Sequence, residues 1–145
     1  MTGSNPVHAT SVMIGGKVLL LSGKSGSGKS DLALRLIDRG ALLVSDDYTD
    51  LAARDGVLHA SPPPSIAGRI EIRGIGIVAM AFASEGPVAL MIDLEGSPQR
   101  LPEEALPTTC LHGIAVPTLA LAAFESSAPI KAEQALLRHG LGSES

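Results

Sequence analysis

The chain has 145 residues, a net charge of −4, and 45% apolar against 18% charged residues. That size and balance suit one globular domain, burying roughly two-thirds of the surface its unfolded form exposes, and exclude a disordered chain. The acidic balance, with no basic patch interleaved with aromatics, excludes general nucleic-acid binding.

The amino-terminal segment MTGSNPVHAT carries neither a charged n-region nor an apolar h-region, so no export signal is visible and the cytoplasm is the expected compartment. Residues 1–7, like 141–145, are expected to be flexible ends of a single domain over 1–145. His8 reads either as a solvated side chain or as part of a site completed elsewhere. SVMI and KVLLLS follow, short apolar runs rich in branched residues that read as buried strands. With two Phe, one Tyr and no Trp, the core falls to Leu, Ile, Val and Ala.

Next comes GKSGSGKS, in which Gly23, Gly28, Lys29 and Ser30 fit the spacing G-x-x-x-x-G-K-[ST]. Glycines let successive backbone N–H groups turn inward toward phosphate oxygens. Lys29 supplies a mobile positive charge for the β- and γ-phosphates, and the Ser30 hydroxyl can ligate Mg²⁺. Lys24, Ser25, Gly26 and Ser27 complete the loop. The run SDLALRLIDRG then has helical spacing, with Leu32 and Leu36 on one face and Gly40 placed to end it. Its positive end would point at the same anion. Strand, loop and helix in that order predict a bound nucleoside triphosphate with Mg²⁺.

ALLVS reads as the next strand and ends in Asp46-Asp47. If it lies beside the strand that feeds the loop, one carboxylate can hold the metal while the other accepts a hydroxyl proton. Asp also favours turns, so the pair alone leaves both readings open. ASPPPS is a loop, because consecutive prolines neither donate to a ladder nor propagate a helix.

EIRGIGIVAM reads as one strand, in which Glu71 and Arg73 project from the same face. They could form a salt bridge or belong to the site. GIG here is no dinucleotide fingerprint, for the third glycine is missing. PVALMIDL and VPTLAL read as further strands, and all the apolar runs are too short to cross a bilayer. Cys110, the single cysteine, cannot form an internal disulfide and reads as a small buried hydrophobe. PIKAEQALLRHG reads as a closing helix with Pro129 at its start and Gly140 as its stop.

Three pieces, HATSVMIGGKVLLLSGKSGSGKSDLALRLIDRG, LLVSDD and IEIRGIGIV, in this order resemble the catalytic domain of the HPr kinase/phosphorylase family. The similarity runs from His8 to about Leu137. It is to the short form without the family's N-terminal domain, which RLPE and SAPIKAEQAL also resemble. The resemblance implies an α/β fold, a single P-loop-containing domain with a central mixed sheet and flanking helices. It implies an ATP- and Mg²⁺-dependent kinase acting on a serine of HPr, the small phosphocarrier of the sugar phosphotransferase system, and a reverse phosphorolysis. A homo-oligomer, a hexamer in the family's pattern, is implied too.

Residue by residue, the resemblance makes Gly23 to Ser30 the triphosphate loop. It makes Asp46 the general base (and the acid in reverse), Asp47 a metal support and Glu71 a further metal-side ligand. His8 would sit beside the Asp pair and Arg73 would order the site. One departure stands out: where longer members carry a P-x-R-P-G-R-N stretch, this chain has AAFESSAPIK, without arginine. A guanidinium there would bind inorganic phosphate, so phosphorolysis is the activity its loss weakens. The alternative from another class is a regulatory module that binds ATP without transferring phosphate to protein. A small-molecule P-loop kinase is a third reading, against which stands the lack of an arginine-rich lid.

Overall fold

Ala9–Ile14 (β1) and Lys17–Ser22 (β2) form an antiparallel hairpin, with Ala9 opposite Ser22. It is closed by Gly15-Gly16, a two-residue turn of the hand that matches strand twist. The computed structural model describes residues 6–142 and is built outward from this hairpin.

After the loop and helix Lys29–Asp38 (α1) come Leu42–Ser45 (β3), Asp50–Arg54 (β4), Val57–Ser61 (β5), Arg69–Ile72 (β6), Gly76–Ala79 (β7), Gly86–Asp93 (β8), Thr108–Leu111 (β9), Ile114–Ala120 (β10) and the helix Ala128–His139 (α2). The central sheet runs β3-β1-β2-β8-β10-β9, with β5 joined to the start of β8 and β4 to β5. β2 is parallel to β8, and β8 to β10, whereas β1 runs antiparallel to both β2 and β3. The carboxyl ends of β2, β3, β8 and β10 and the start of β1 therefore share one edge. In open α/β sheets that edge is where ligands bind.

β2 is buried on both faces, and alternation splits its side chains between two cores. Leu19 and Leu21 pack with Leu32, Ala33, Leu36, Ala132 and Leu136 beneath the helices. Val18 and Leu20 pack with Leu51, Leu58 and Val88 of the β4–β5 hairpin and β8. Each fully buried Leu contributes about 1.5–3 kcal/mol, so this strand fixes the loop that follows it. α1 ends as its sequence predicts. The Ala41 N–H bonds to the Leu36 carbonyl and the Gly40 N–H to that of Ile37, with Gly40 at φ 114°. This is the Schellman arrangement, which glycine permits.

The two helices flank the mixed sheet as expected, both on one face, and the β4–β5 hairpin covers the other. Other expectations need correction. β1 lies between β3 and β2, so the strand ending in Asp46-Asp47 is not adjacent to the one feeding the loop. Residues 69–79 form a separate hairpin, β6–β7, because the chain turns at Arg73–Ile75 and the Ile75 N–H bonds back to the Ile72 carbonyl. Arg73 thus sits in the turn and not on a strand face. Cys110 is exposed, since β9 is the outer strand of its edge. Of the ends expected to be flexible, 1–5 and 143–145 lie outside the described residues. Val7 exchanges two backbone hydrogen bonds with Thr49, and the Leu141 N–H bonds to the Ala89 carbonyl, so both are tied to the fold.

Candidate functional site

The loop from Gly23 to Gly28 leaves the carboxyl end of β2 and enters α1 at the shared edge. Its glycines are required by the space around them as well as by the turn. A Cβ on Gly23 would lie 2.3 Å from Ser27 Oγ. Gly28 has φ 100°, in the left-handed region that L side chains rarely adopt, and a Cβ there would meet Ala123 at 2.8 Å and the Phe124 ring at 3.1 Å. The loop is a cradle that side chains would fill.

Lys29 is buried, at 5% exposure. Its ammonium donates to the carbonyls of Gly23 (2.8 Å) and Lys24 (3.2 Å) and stands 3.9 Å from the Asp47 carboxylate. A buried charge needs such partners.

The two aspartates have different surroundings. Asp46 is 7% exposed. Its Oδ1 accepts from Ser30 Oγ (2.5 Å) and Thr10 Oγ1 (3.3 Å), and its Oδ2 accepts from the Glu71 N–H (2.9 Å). It joins α1, β1 and β6 at one carboxylate. Asp47 is half exposed, and its backbone holds φ 68°, a conformation uncommon outside Gly and most tolerable for Asn and Asp. That turn is held by the Asp47 N–H donating to Thr10 Oγ1 at 2.9 Å. It aims the Asp47 carboxylate at His8, whose Nε2 lies 2.9 Å from Oδ1. The His8 ring in turn stacks on Tyr48 at a centroid distance of 5.1 Å.

A cavity of about 320 Å³ joins these groups, lined by Lys29, Ser30, Asp46, Asp47, Glu71 and Arg73 among others. His8 reaches it through Asp47. Hard oxygen donors, the Ser30 hydroxyl and the Asp46 carboxylate, meet beside a phosphate-shaped loop, which is the donor set that suits Mg²⁺. Among the described residues no three His, Cys, Asp or Glu side chains cluster as a metal cage. A magnesium ion, which keeps waters and leans on substrate phosphates, does not need one.

Two residues with structural bearing on the site are absent from the sequence reading. Thr10 connects the two aspartates, one by donating and one by accepting. Arg35, on α1, donates to the carbonyls of Ala123 and Glu125 and pairs with Asp31. It fastens the β10–α2 connection over the loop. No local pattern marks either one.

The family model described as the HPr serine kinase C-terminal domain matches residues 1–108. The chain belongs to that family. An HPr kinase/phosphorylase of Geobacillus sp. is 42% identical over 97 residues, 61% of this chain and 31% of that protein. One of Clostridium botulinum is 44% identical over 72 residues, 50% of this chain and 24% of that protein. The chain thus matches less than a third of the length of these curated relatives. Among solved structures, the HPr(Ser) kinase/phosphatase from Coxiella burnetii aligns with a TM-score of 0.81 and 31% identity, over 93% of this chain and 95% of that one. The HPr-kinase fold therefore extends through β9, β10 and α2, beyond the residues that the family model covers. No helix among the described residues is long and apolar enough to cross a membrane.

Proposed function

We propose that this domain transfers the γ-phosphoryl group of ATP to a serine of HPr or a close relative, in the cytoplasm. The observation that carries the reading is a half-exposed carboxylate, Asp47, opening into the same cavity as Lys29 and Ser30 of the phosphate loop.

Lys29 would exchange the Gly23 and Lys24 carbonyls for phosphate oxygens. Ser30 and Asp46 would hold Mg²⁺ with Glu71 at the rim, and the ion would neutralise charge on the β- and γ-phosphate oxygens. The roles that the resemblance gives to the two aspartates are exchanged here. Asp46 is buried and both its oxygens already accept hydrogen bonds from three donors, which suits it to a fixed metal-side position more than to taking a proton. Asp47 is accessible, and His8 holds its orientation. The acceptor hydroxyl gives its proton to Asp47 while its oxygen bonds to the γ-phosphorus. The bond from that phosphorus to the β–γ bridging oxygen breaks, releasing ADP. Arg73, at the rim, would steady the transferring group.

Phosphorolysis needs a second phosphate held in line with a seryl phosphate, and so more positive charge. In the region without arginine, Lys131 is paired with Glu125 at 2.8 Å, and Arg35 is engaged by backbone carbonyls. The forward reaction dominates. Exposed Ile75 and Ile77 on the β6–β7 hairpin support the proposed homo-oligomer, which light scattering of the purified chain tests.

The test of the main reading is incubation with labelled ATP, Mg²⁺ and purified HPr, with mass spectrometry of the product. Phosphoserine on HPr is the expected result. Tight ATP binding without any protein phosphorylation would instead favour a nucleotide-responsive binding module.

A further inference from the structure

A second cavity, of about 600 Å³, opens on the other side of the phosphate loop. Its walls are Lys24 and Ser27 of the loop, Leu94 and Pro98 after β8, and Leu121 and Phe124 after β10. The size suits a small organic ligand, and the mostly apolar walls suit a flat ring. Phe124 is one of three aromatics in the chain, and it is 70% exposed. Its ring lies against Gly28 and borders both cavities.

The position of this wall is held. Arg35 binds the carbonyls on either side of Phe124, at Ala123 and Glu125. Across the cavity, Glu95 Oε2 accepts the Lys24 N–H at 2.6 Å, which anchors the loop after β8 to the phosphate loop. The Ser27 hydroxyl, at the floor, is buried without a hydrogen-bond partner.

A triphosphate laid along the loop has two ends. Under the phosphotransfer reading, on which this inference rests, the reacting end faces Asp47, Glu71 and Arg73 in the first cavity. The nucleoside end must then leave the loop elsewhere, and the second cavity opens from that same loop. We propose that this cavity takes the nucleoside, with the base stacked on Phe124 and a ribose hydroxyl within reach of the second oxygen of Glu95. Stacking is tolerant of base identity because every base offers a π-face. Phe124 therefore supplies affinity for the nucleoside, and little choice between purines.

The experiment compares ATP with inorganic triphosphate, both with Mg²⁺, by calorimetry on wild type and Phe124→Ala. ATP binding should weaken roughly tenfold or more, the scale of one lost base–aromatic stack, while triphosphate affinity stays within about twofold. The chain has no tryptophan, so Phe124→Trp adds a single fluorophore that ATP should quench and triphosphate should not. Equal wild-type affinities for ATP and triphosphate, or an unchanged ATP affinity in Phe124→Ala, would overturn the inference and leave the phosphate-loop reading standing. If wild type binds neither ligand, the phosphotransfer reading fails and this inference fails with it.

Discussion

Replacing each aspartate of the pair by asparagine separates their roles. In Asp46→Asn one carboxylate oxygen becomes an NH₂ group. The better orientation keeps the oxygen toward the Glu71 N–H, since the Ser30 and Thr10 hydroxyls can rotate to accept. The charge is nevertheless gone, and with it the extra strength of hydrogen bonds to a charged group, about 1.5–3 kcal/mol. For a chain of this size, a kilocalorie moves the melting temperature by about 2–4 °C. A fall of roughly 3–12 °C is expected. Asp47→Asn is different. Asn tolerates a positive φ as well as Asp does, and the side chain is half exposed, so stability should change by less than about 0.5 kcal/mol. Phosphotransfer should fall by about 10²-fold or more, the scale of a lost general base. Thermal melts and initial rates of ATP-dependent HPr phosphorylation, run on both variants, read the two effects. A wild-type transfer rate in Asp47→Asn would refute the assignment, as would a melting temperature unchanged in Asp46→Asn.

Lys29→Ala should abolish ATP binding in calorimetry while circular dichroism shows the fold retained; unchanged affinity and turnover would remove Lys29 from the site. Thr10→Val leaves the Asp47 N–H without its acceptor and should cost about 1–3 kcal/mol by denaturant titration, together with slower transfer. Pyrophosphate release from phosphoseryl-HPr at millimolar phosphate should be far slower than the forward reaction, and equal rates would show that another cation, Lys131 first, has taken over. Glu85 is held below the ordinary carboxylate range, chiefly by its hydrogen bond from Arg54. Its contribution to stability is small and exposed; it is present above the unfolded carboxylate pKa and lost as pH falls through the lower folded one. The melting difference between wild type and Glu85→Gln should thus vanish in acid, and a difference that grows in acid would contradict the pairing.

The loop, α1 and the Asp pair were legible because their signals are local: glycine spacing, one apolar helical face, and a turn-prone pair after an apolar run. The β4–β5 hairpin carries no such local signal. Only Leu51 of β4 and Leu58 and Ala60 of β5 are buried, too few for a clear alternation. Asp55-Gly56 between the two strands, both at positive φ, was the available cue. The β6–β7 hairpin reads as a single strand because Ile75 and Ile77 look like core residues, yet both are exposed. Which aspartate is buried and which half exposed is not readable locally. Adjacent residues of one type differ only in what meets them, here Thr10, Ser30 and the Glu71 N–H for Asp46 and His8 for Asp47. Arg35 and the Ala123 carbonyl are 88 residues apart, and nothing in either segment announces the other.

The positive φ at Asp47 also shapes how this protein can drift. Most replacements there meet a backbone that resists their Cβ, and selection for folding removes them early. Asn fits the bend as well as Asp, and one nucleotide change in the codon is enough to reach it. If Asp47 is the proton acceptor proposed above, the substitution most easily tolerated by the fold is therefore the one that removes it. A lineage taking that step would keep the phosphate loop, the cavities on either side and the outer surface. Descendants of a transfer enzyme would then persist as nucleotide-responsive binding proteins, distinguishable from their active cousins at a single side chain.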